Sequence, residues 1–246
     1  NIENHLEYIG YYGSKVNAEI WTTGKQVDIK YNVTLGRRYQ IKDITINIPE
    51  HGEFREAFLA DTSGITIKKG DFLAESLLEV ETERSSSKLR NQGFYDFSKN
   101  NYFFEADTIS VPGYALLDMT VNEYTRNESP KEAEPIRRFY FNDISISYPK
   151  DLKIKENILY NFNTIVPGDL YDADVVSNTY SRFSALDVFS SVNIGMNKVD
   201  TNLVDCSIVL TQSRLQGMKV NFELSTNSSG LWGLSPQLSY FHKNIF

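Results

Sequence analysis

Between Asp71 and Glu123 the apolar positions pass from a helical period to a strand period, and this stretch sets the unit from which the rest of the chain is read. Leu73, Leu77 and Val80 recur on one helical face, with Leu78 and Leu89 on an adjoining stripe, which predicts a helix capped by Asp71. Lys88 and Arg90 suit the negative end of the helix dipole, and Gly93 is free to take a left-handed exit. Phe94 to Phe97 and Asn101 to Ala106 then read as extended. From Leu116 to Tyr124, Leu117, Met119 and Val121 alternate with Asp118, Thr120 and Asn122, the pattern of a half-buried strand.

The same ending occurs earlier in the chain. Ile2, Leu6 and Ile9 run at helical spacing into Gly10, and Tyr11 to Trp21 and Val27 to Leu35 follow as strands. Further on, Tyr39 to Ile46 and Phe139 to Ile146 are two versions of one strand, 100 positions apart. Each precedes a short helical stretch, Glu53 to Ala60 or Lys153 to Phe162, the latter with Ile154, Ile158 and Phe162 as its stripe. A Gly-Asp pair, Gly70-Asp71 or Gly168-Asp169, then opens a second helix. In the later copy this helix carries Val176, Tyr180 and Phe183 on one face, and strands Val188 to Met196 and Leu203 to Leu210 complete the unit. The repeat is strand, helix, helix, strand, strand. At roughly 90 residues it is long enough to be a domain rather than a solenoid repeat. Tyr124 to Pro135 is polar, aperiodic and twice interrupted by proline, which predicts a linker, whereas the junction Leu35-Gly36-Arg37-Arg38 is tight and should restrict motion.

After Gln212 the pattern changes again. Met218, Val220, Phe222 and Leu224 alternate with polar residues, Thr226 to Gly230 forms a turn, and Leu234, Pro236, Leu238 and Tyr240 alternate in turn, with Trp232 near their start. One-sided segments of about 10 residues with interfacial aromatics have the character of transmembrane barrel strands, although a water-soluble hairpin shows the same alternation. Two strands alone are marginal in water, so this end implies further sequence or a partner chain.

Composition narrows the function classes. At 23% charged and 41% hydrophobic the chain is an ordinary folded one, and 246 residues allow one to three domains. Fifteen tyrosines and fifteen phenylalanines favour strands. A net charge of -7 argues against nucleic acid as a partner. The single cysteine, Cys206, lies in an alternating run and reads as a buried strand thiol. No apolar run approaches the length of a membrane helix, and Asn1-Ile2-Glu3-Asn4 does not resemble a signal peptide, so the chain is cytosolic or its export signal lies elsewhere. His5, His51 and His242 are scattered, and Asp169, Asp172 and Asp174 lack the rest of a calcium loop. Ser85 to Ser87 and Gly195 match no nucleophile or phosphate motif, and Glu79, Glu81 and Glu83 are expected to face water. The expectation is a binding protein with no metal, cofactor or enzymatic activity.

The repeated unit, its Gly-Asp pair and the run Leu-Arg-Asn-Gln-Gly-Phe-Tyr-Asp at Leu89 to Asp96 resemble a POTRA domain, and Gly217 to Phe246 resembles the first barrel strands of the BamA and TamA outer-membrane assembly proteins. The later copy lacks the glycine, having Arg182 to Phe189 at the equivalent place. Abundant tyrosine and the long linker are closer to the TamL type of Bacteroides-like bacteria. The resemblance implies an α+β fold of tandem domains, each a three-stranded mixed sheet with two helices on one face. The expected boundaries are a partial POTRA-like domain at 1–36, complete ones at 37–126 and 136–213, a linker at 127–135, and barrel strands at 214–246. It also implies a periplasmic region of a bacterial outer-membrane protein that receives unfolded outer-membrane proteins and works with other assembly subunits. Client binding by strand addition to open sheet edges needs no catalytic group. The expected client-binding residues are Tyr11 and Tyr12 in one unit and Phe94, Tyr95 and Phe97 in the next, with Tyr95 and Phe97 on one side of their strand. A two-partner secretion transporter and an extracellular adhesive or glycan-binding β protein are the alternatives.

Overall fold

The computed structural model describes residues 1–125, 128, 134–150, 152, 154–226 and 232–243, which form two units, Asn1–Arg138 and Phe139–Phe246. Most of the linker expected at 127–135, the turn expected up to Gly230 and the chain end from Asn244 lie outside the described residues.

The first unit contains α1 (Ile2–Tyr8), a hairpin of β1 (Lys15–Thr23) and β2 (Gln26–Thr34), then β3 (Gln40–Asn47), α2 (Glu53–Ala60), α3 (Glu75–Arg90), β4 (Tyr102–Asp107) and β5 (Tyr114–Val121). β5 is the central strand of a three-stranded sheet, with β3 parallel on one side and β4 antiparallel on the other. A parallel partner requires a long crossover, which α2 and α3 provide. One face of the sheet is buried: Ile41, Tyr102, Ala115, Leu117, Met119 and Val121 all lie inside. Against it pack Phe54 and Phe58 of α2, Leu89 of α3, and Phe94 and Phe97 just after α3. The Phe54 ring meets Phe97 at 4.8 Å and Phe94 edge-on at 5.4 Å, so aromatic contacts dominate this core.

Of the stripe expected for α3, Leu73 and Leu89 are buried and Leu77 and Leu78 pack on the core, but Val80 does not, and polar residues take part in the buried face. Val80 is 57% exposed, while Glu81, Thr82, Ser85, Ser86 and Leu89 are buried. The polar members of that stripe are tolerated because each finds a partner: the Tyr102 hydroxyl donates to Ser85 at 2.6 Å, Ser86 donates to the Thr82 carbonyl, and Glu81 accepts from Thr66 and Arg84. Glu81 therefore does not face water. Nor does Asp71 cap α3, whose N-cap is Ala74; the Asp71 carboxylate instead accepts the Lys68 N–H at 2.8 Å.

Residues 94–97 are not a strand. After Gly93, at φ 99°, the Phe94 N–H returns to the Leu89 carbonyl and the Phe97 N–H to that of Phe94, a turn that drives both rings into the core. Ser98 and Asn101 cap one another across a single 3-10 turn, and β4 begins at Tyr102.

The second unit repeats the plan with β6 (Tyr140–Ser147), α4 (Glu156–Phe162), α5 (Ala173–Ser184), β7 (Phe189–Asp200) and β8 (Leu203–Gln212), in the order β6-β8-β7. Thr179 and Phe183 are the fully buried residues of α5, whereas Tyr180, expected beside Phe183, is half exposed. In α4 the buried residue is Leu159 rather than Ile158. Asp172 caps α5 by accepting the Asp174 and Val175 N–H groups. Cys206 lies inside on β8, and burial pushes its thiol up to about 11. β9 (Gln216–Thr226) and β10 (Trp232–His242) form a separate antiparallel hairpin.

The Gly-Asp pairs serve one purpose in both units. The Gly70 N–H donates to the Ile41 carbonyl, the Ile41 N–H donates to the Asp71 carbonyl, and the Leu73 N–H donates to the Tyr39 carbonyl. In the second unit Gly168, Phe141, Asp169, Tyr171 and Phe139 reproduce the three bonds. The glycines, at φ 93° and 87°, let the chain clasp the first strand before the second helix starts, rather than opening that helix.

Candidate functional site

The sheet order leaves β4 as an outer strand, since no described strand pairs with its far side. The Asn122 N–H donates to the Asn101 carbonyl, which makes Asn101 and Asn122 a hydrogen-bonded pair of the antiparallel ladder. Such pairs alternate, so Phe103, Glu105 and Asp107 bond to β5, and Tyr102, Phe104 and Ala106 present their N–H and C=O groups outward. An extended peptide could satisfy these groups by becoming a fourth strand.

A groove runs beside that edge, between β4 and the first half of α3. Phe104, stacked on Tyr102 at 6.2 Å, divides it. Toward the C-terminal end of β4 a cavity of about 310 Å³ is lined by Tyr12, Tyr39, Leu73, Leu78 and Leu117. Toward its N-terminal end a larger one, about 460 Å³, is bounded by Tyr8, Glu75, Glu79, Thr82 and Lys99. Polar contacts span this second cavity: the Tyr8 hydroxyl donates to Glu79 at 2.9 Å, and the Lys99 ammonium reaches Glu79 and Glu83 at 3.3 Å each. The hydrogen bonds from Tyr8 and Lys99 hold the Glu79 carboxyl below its ordinary value, and the bond to Glu79 raises the Tyr8 hydroxyl in return.

Tyr8 and Tyr12 come from the segment before the central module, and the junction places them. Tyr12 and Arg37 exchange backbone hydrogen bonds at 2.9 and 3.0 Å, Gly36 lies so close to the Tyr12 carbonyl that a Cβ there would collide with it, and the Tyr12 ring leans on Tyr39 at 6.0 Å. Arg38 sits over Phe72 at 3.7 Å and Tyr11 at 5.0 Å.

The five residues expected to bind a client thus part company. Tyr12 lines the groove, Tyr11 is held under Arg38, and Tyr95 is half-buried in the turn after α3. Phe94 and Phe97 are 0% exposed and belong to the core, so an added strand cannot reach either ring, and Tyr95 and Phe97 do not share the face of a strand. The groove residues passed over in the sequence were Tyr102, Phe104 and Ala106, whose own alternation in the run from Asn101 to Ala106 was the available signal.

In the second unit β7 holds the position of β4 and is twice as long, twelve residues against six. Among the described residues no group of three or more His, Cys, Asp or Glu could hold a metal ion, and no helix is long and apolar enough to cross a membrane.

The structure of POTRA3-5 of BamA from Haemophilus influenzae superposes on 86% of this chain, over 77% of its own length, with a TM-score of 0.56 at 12% identity. BamA from Haemophilus ducreyi lacking POTRA domains 1-3 covers 80% of this chain with 34% of its own, again at a TM-score of 0.56, with 16% identity. The fold is that of tandem POTRA domains. β3 to β5 and β6 to β8 each show the strand-helix-helix-strand-strand plan, and β4 and β7 are the outer strands of their sheets. No family model and no curated protein matches the sequence.

Proposed function

We propose that this chain is the periplasmic, client-receiving region of an outer-membrane β-barrel assembly factor of the BamA and TamA kind, in its TamL-type form, and that it binds unfolded barrel proteins by strand addition. The observation that carries this reading is the outer edge of β4, where Tyr102, Phe104 and Ala106 direct unpaired backbone groups beside an open groove. Main-chain bonds give affinity with little demand on sequence, which suits a receiver of many clients.

The two flanking pieces support the same reading. α1, the left-handed Gly10 and the β1-β2 hairpin repeat α3, Gly93 and the β4-β5 pair, so residues 1–36 are the closing part of another POTRA module. Val16, Ala18 and Ile20 face Val33, Tyr31 and Ile29 across that hairpin on one apolar, largely exposed side, the side a POTRA module covers with helices. At the other end, Met218, Val220, Phe222 and Leu224 pair with Tyr240, Leu238, Pro236 and Leu234, while Lys219, Asn221 and Glu223 pair with Ser239, Gln237 and Ser235. Each strand has eleven residues, and at roughly 3.4 Å per residue and a tilt of about 45° it rises about 26 Å, the height of a membrane barrel's apolar band. β9 and β10 are on this reading the first strands of the barrel.

The test is to place a photoreactive benzophenone side chain at Ala106 in cells making the full-length protein. Crosslinks to nascent outer-membrane barrel proteins are expected. Crosslinks confined to carbohydrate or to host surface proteins, or none at Ala106 while a probe at Ile109 still captures clients, would overturn it.

A further inference from the structure

The groove beside β4 is uneven along its length, and that unevenness selects among strands. Resting on the strand-addition reading, we propose that the central module prefers client strands carrying an aromatic or large aliphatic residue and a lysine or arginine two positions apart. Residues i and i+2 of an added strand point to the same side and lie about 6.8 Å from one another. The helix-facing side chains of a strand docked on Tyr102, Phe104 and Ala106 therefore meet the two cavities on either side of Phe104 in succession.

The first cavity is largely apolar, walled by Leu73, Leu78 and Leu117 with Tyr12 and Tyr39 beside them. Beyond Phe104 the rim is acidic. Lys99 is its one cation among the described residues, and that ammonium is already engaged by Glu79 and Glu83. Glu75, which lines the same cavity, has no ion-pair partner among the described residues. Burial raises the Tyr12 hydroxyl first, and the Glu75 and Glu7 carboxylates raise it further. A client cation would find the Glu75 carboxylate there without a counter-ion; a client carboxylate would be repelled.

The 246-residue chain is titrated with an end-blocked fluorescent peptide, Thr-Lys-Thr-Phe-Thr-Lys-Thr, whose symmetry meets the pattern in either strand direction. It is compared with the peptide carrying glutamate for both lysines and with one carrying alanine for phenylalanine. Anisotropy gives affinity, and amide shifts at Phe104 and Ala106 report docking at β4. The lysine peptide should bind at least about fivefold tighter than the glutamate peptide, with Glu75→Gln narrowing the ratio by roughly twofold and added salt narrowing it further. The alanine peptide should be weaker than its parent. Equal binding of lysine and glutamate peptides, with the β4 amides shifted by both, overturns the preference and leaves strand addition intact. No shift at β4 with any peptide overturns both.

Discussion

Replacing Arg84 by methionine should unsettle the central POTRA module more than any surface change of similar size. Asp61 is 5% exposed and Glu81 1%, and Arg84 is the cation they share: its guanidinium meets Asp61 at 2.8 Å and Glu81 at 2.7 and 3.1 Å. Breaking a buried ion pair by removing one partner costs about 3–5 kcal/mol, because a desolvated charge stays behind. The lower end applies here, since Lys88 still reaches Asp61 and the Thr66 N–H and hydroxyl still donate to Glu81. About 3 kcal/mol is a large share of the roughly 5–13 kcal/mol that a module of about 90 residues possesses.

The effect carries a pH signature. Burial pushes the Asp61 carboxyl up, but hydrogen bonds from Lys88 and Arg84 outweigh it and hold the group below its ordinary value. A carboxyl lowered by folding stabilises the protein above its unfolded pKa, about 3.9, and that stabilisation is lost as pH falls through the folded value. The gap between wild type and Arg84→Met should be full at pH 7 and shrink below about pH 4. Trp21 and Trp232 both lie outside the central module, so the assay is hydrogen exchange of the α3 and β5 amides rather than tryptophan emission. A loss under about 1 kcal/mol at pH 7, the value of a solvated surface pair, would refute the reasoning.

Three further outcomes are expected. Ala106→Pro removes an outward N–H while sparing the ladder to β5, so it should leave the module folded by circular dichroism yet reduce peptide binding at β4 severalfold; unchanged binding would place the client elsewhere. Gly36→Ala forces a Cβ against the Tyr12 backbone and should loosen the Tyr12–Arg37 bridge, seen as a broadened distance distribution between spin labels at Asn17 and Asp118. The Cys206 thiol, buried and raised to about 11, should resist a disulfide reagent at pH 8 until the second unit is unfolded in denaturant; prompt labelling of the folded chain would contradict its placement.

The repeat was legible because it is written in strands: Gln40–Asn47 and Tyr140–Ser147 are near copies, and their alternation survives in the fold. α2 was likewise plain, from Glu53 to Ala60. α3 was misread in part because, beside Leu89, the residues it buries are serine, threonine and glutamate, satisfied by Thr66, Arg84, Tyr102 and carbonyls of the helix itself. An apolar period cannot register a stripe made acceptable by distant partners. Phe94 and Phe97 looked extended because aromatic density resembles strand, yet their spacing of three is that of a turn placing both rings on the same core.

Where the site lies depended on a different kind of information. A hairpin of β4 and β5 follows from alternation, but which of the two is the outer strand depends on where β3 returns after its helical crossover. Once β3 pairs with β5, β4 is outermost, and a single bond from the Asn122 N–H to the Asn101 carbonyl then decides which of its residues turn their backbone outward. Shift that ladder by one residue and Phe103, Glu105 and Asp107 would take those outward places, while Tyr102, Phe104 and Ala106 would turn their side chains off the groove. The proposed binding property is therefore one of register. A variant that slips β4 by one position should lose peptide binding at this edge although the composition of the strand is unchanged.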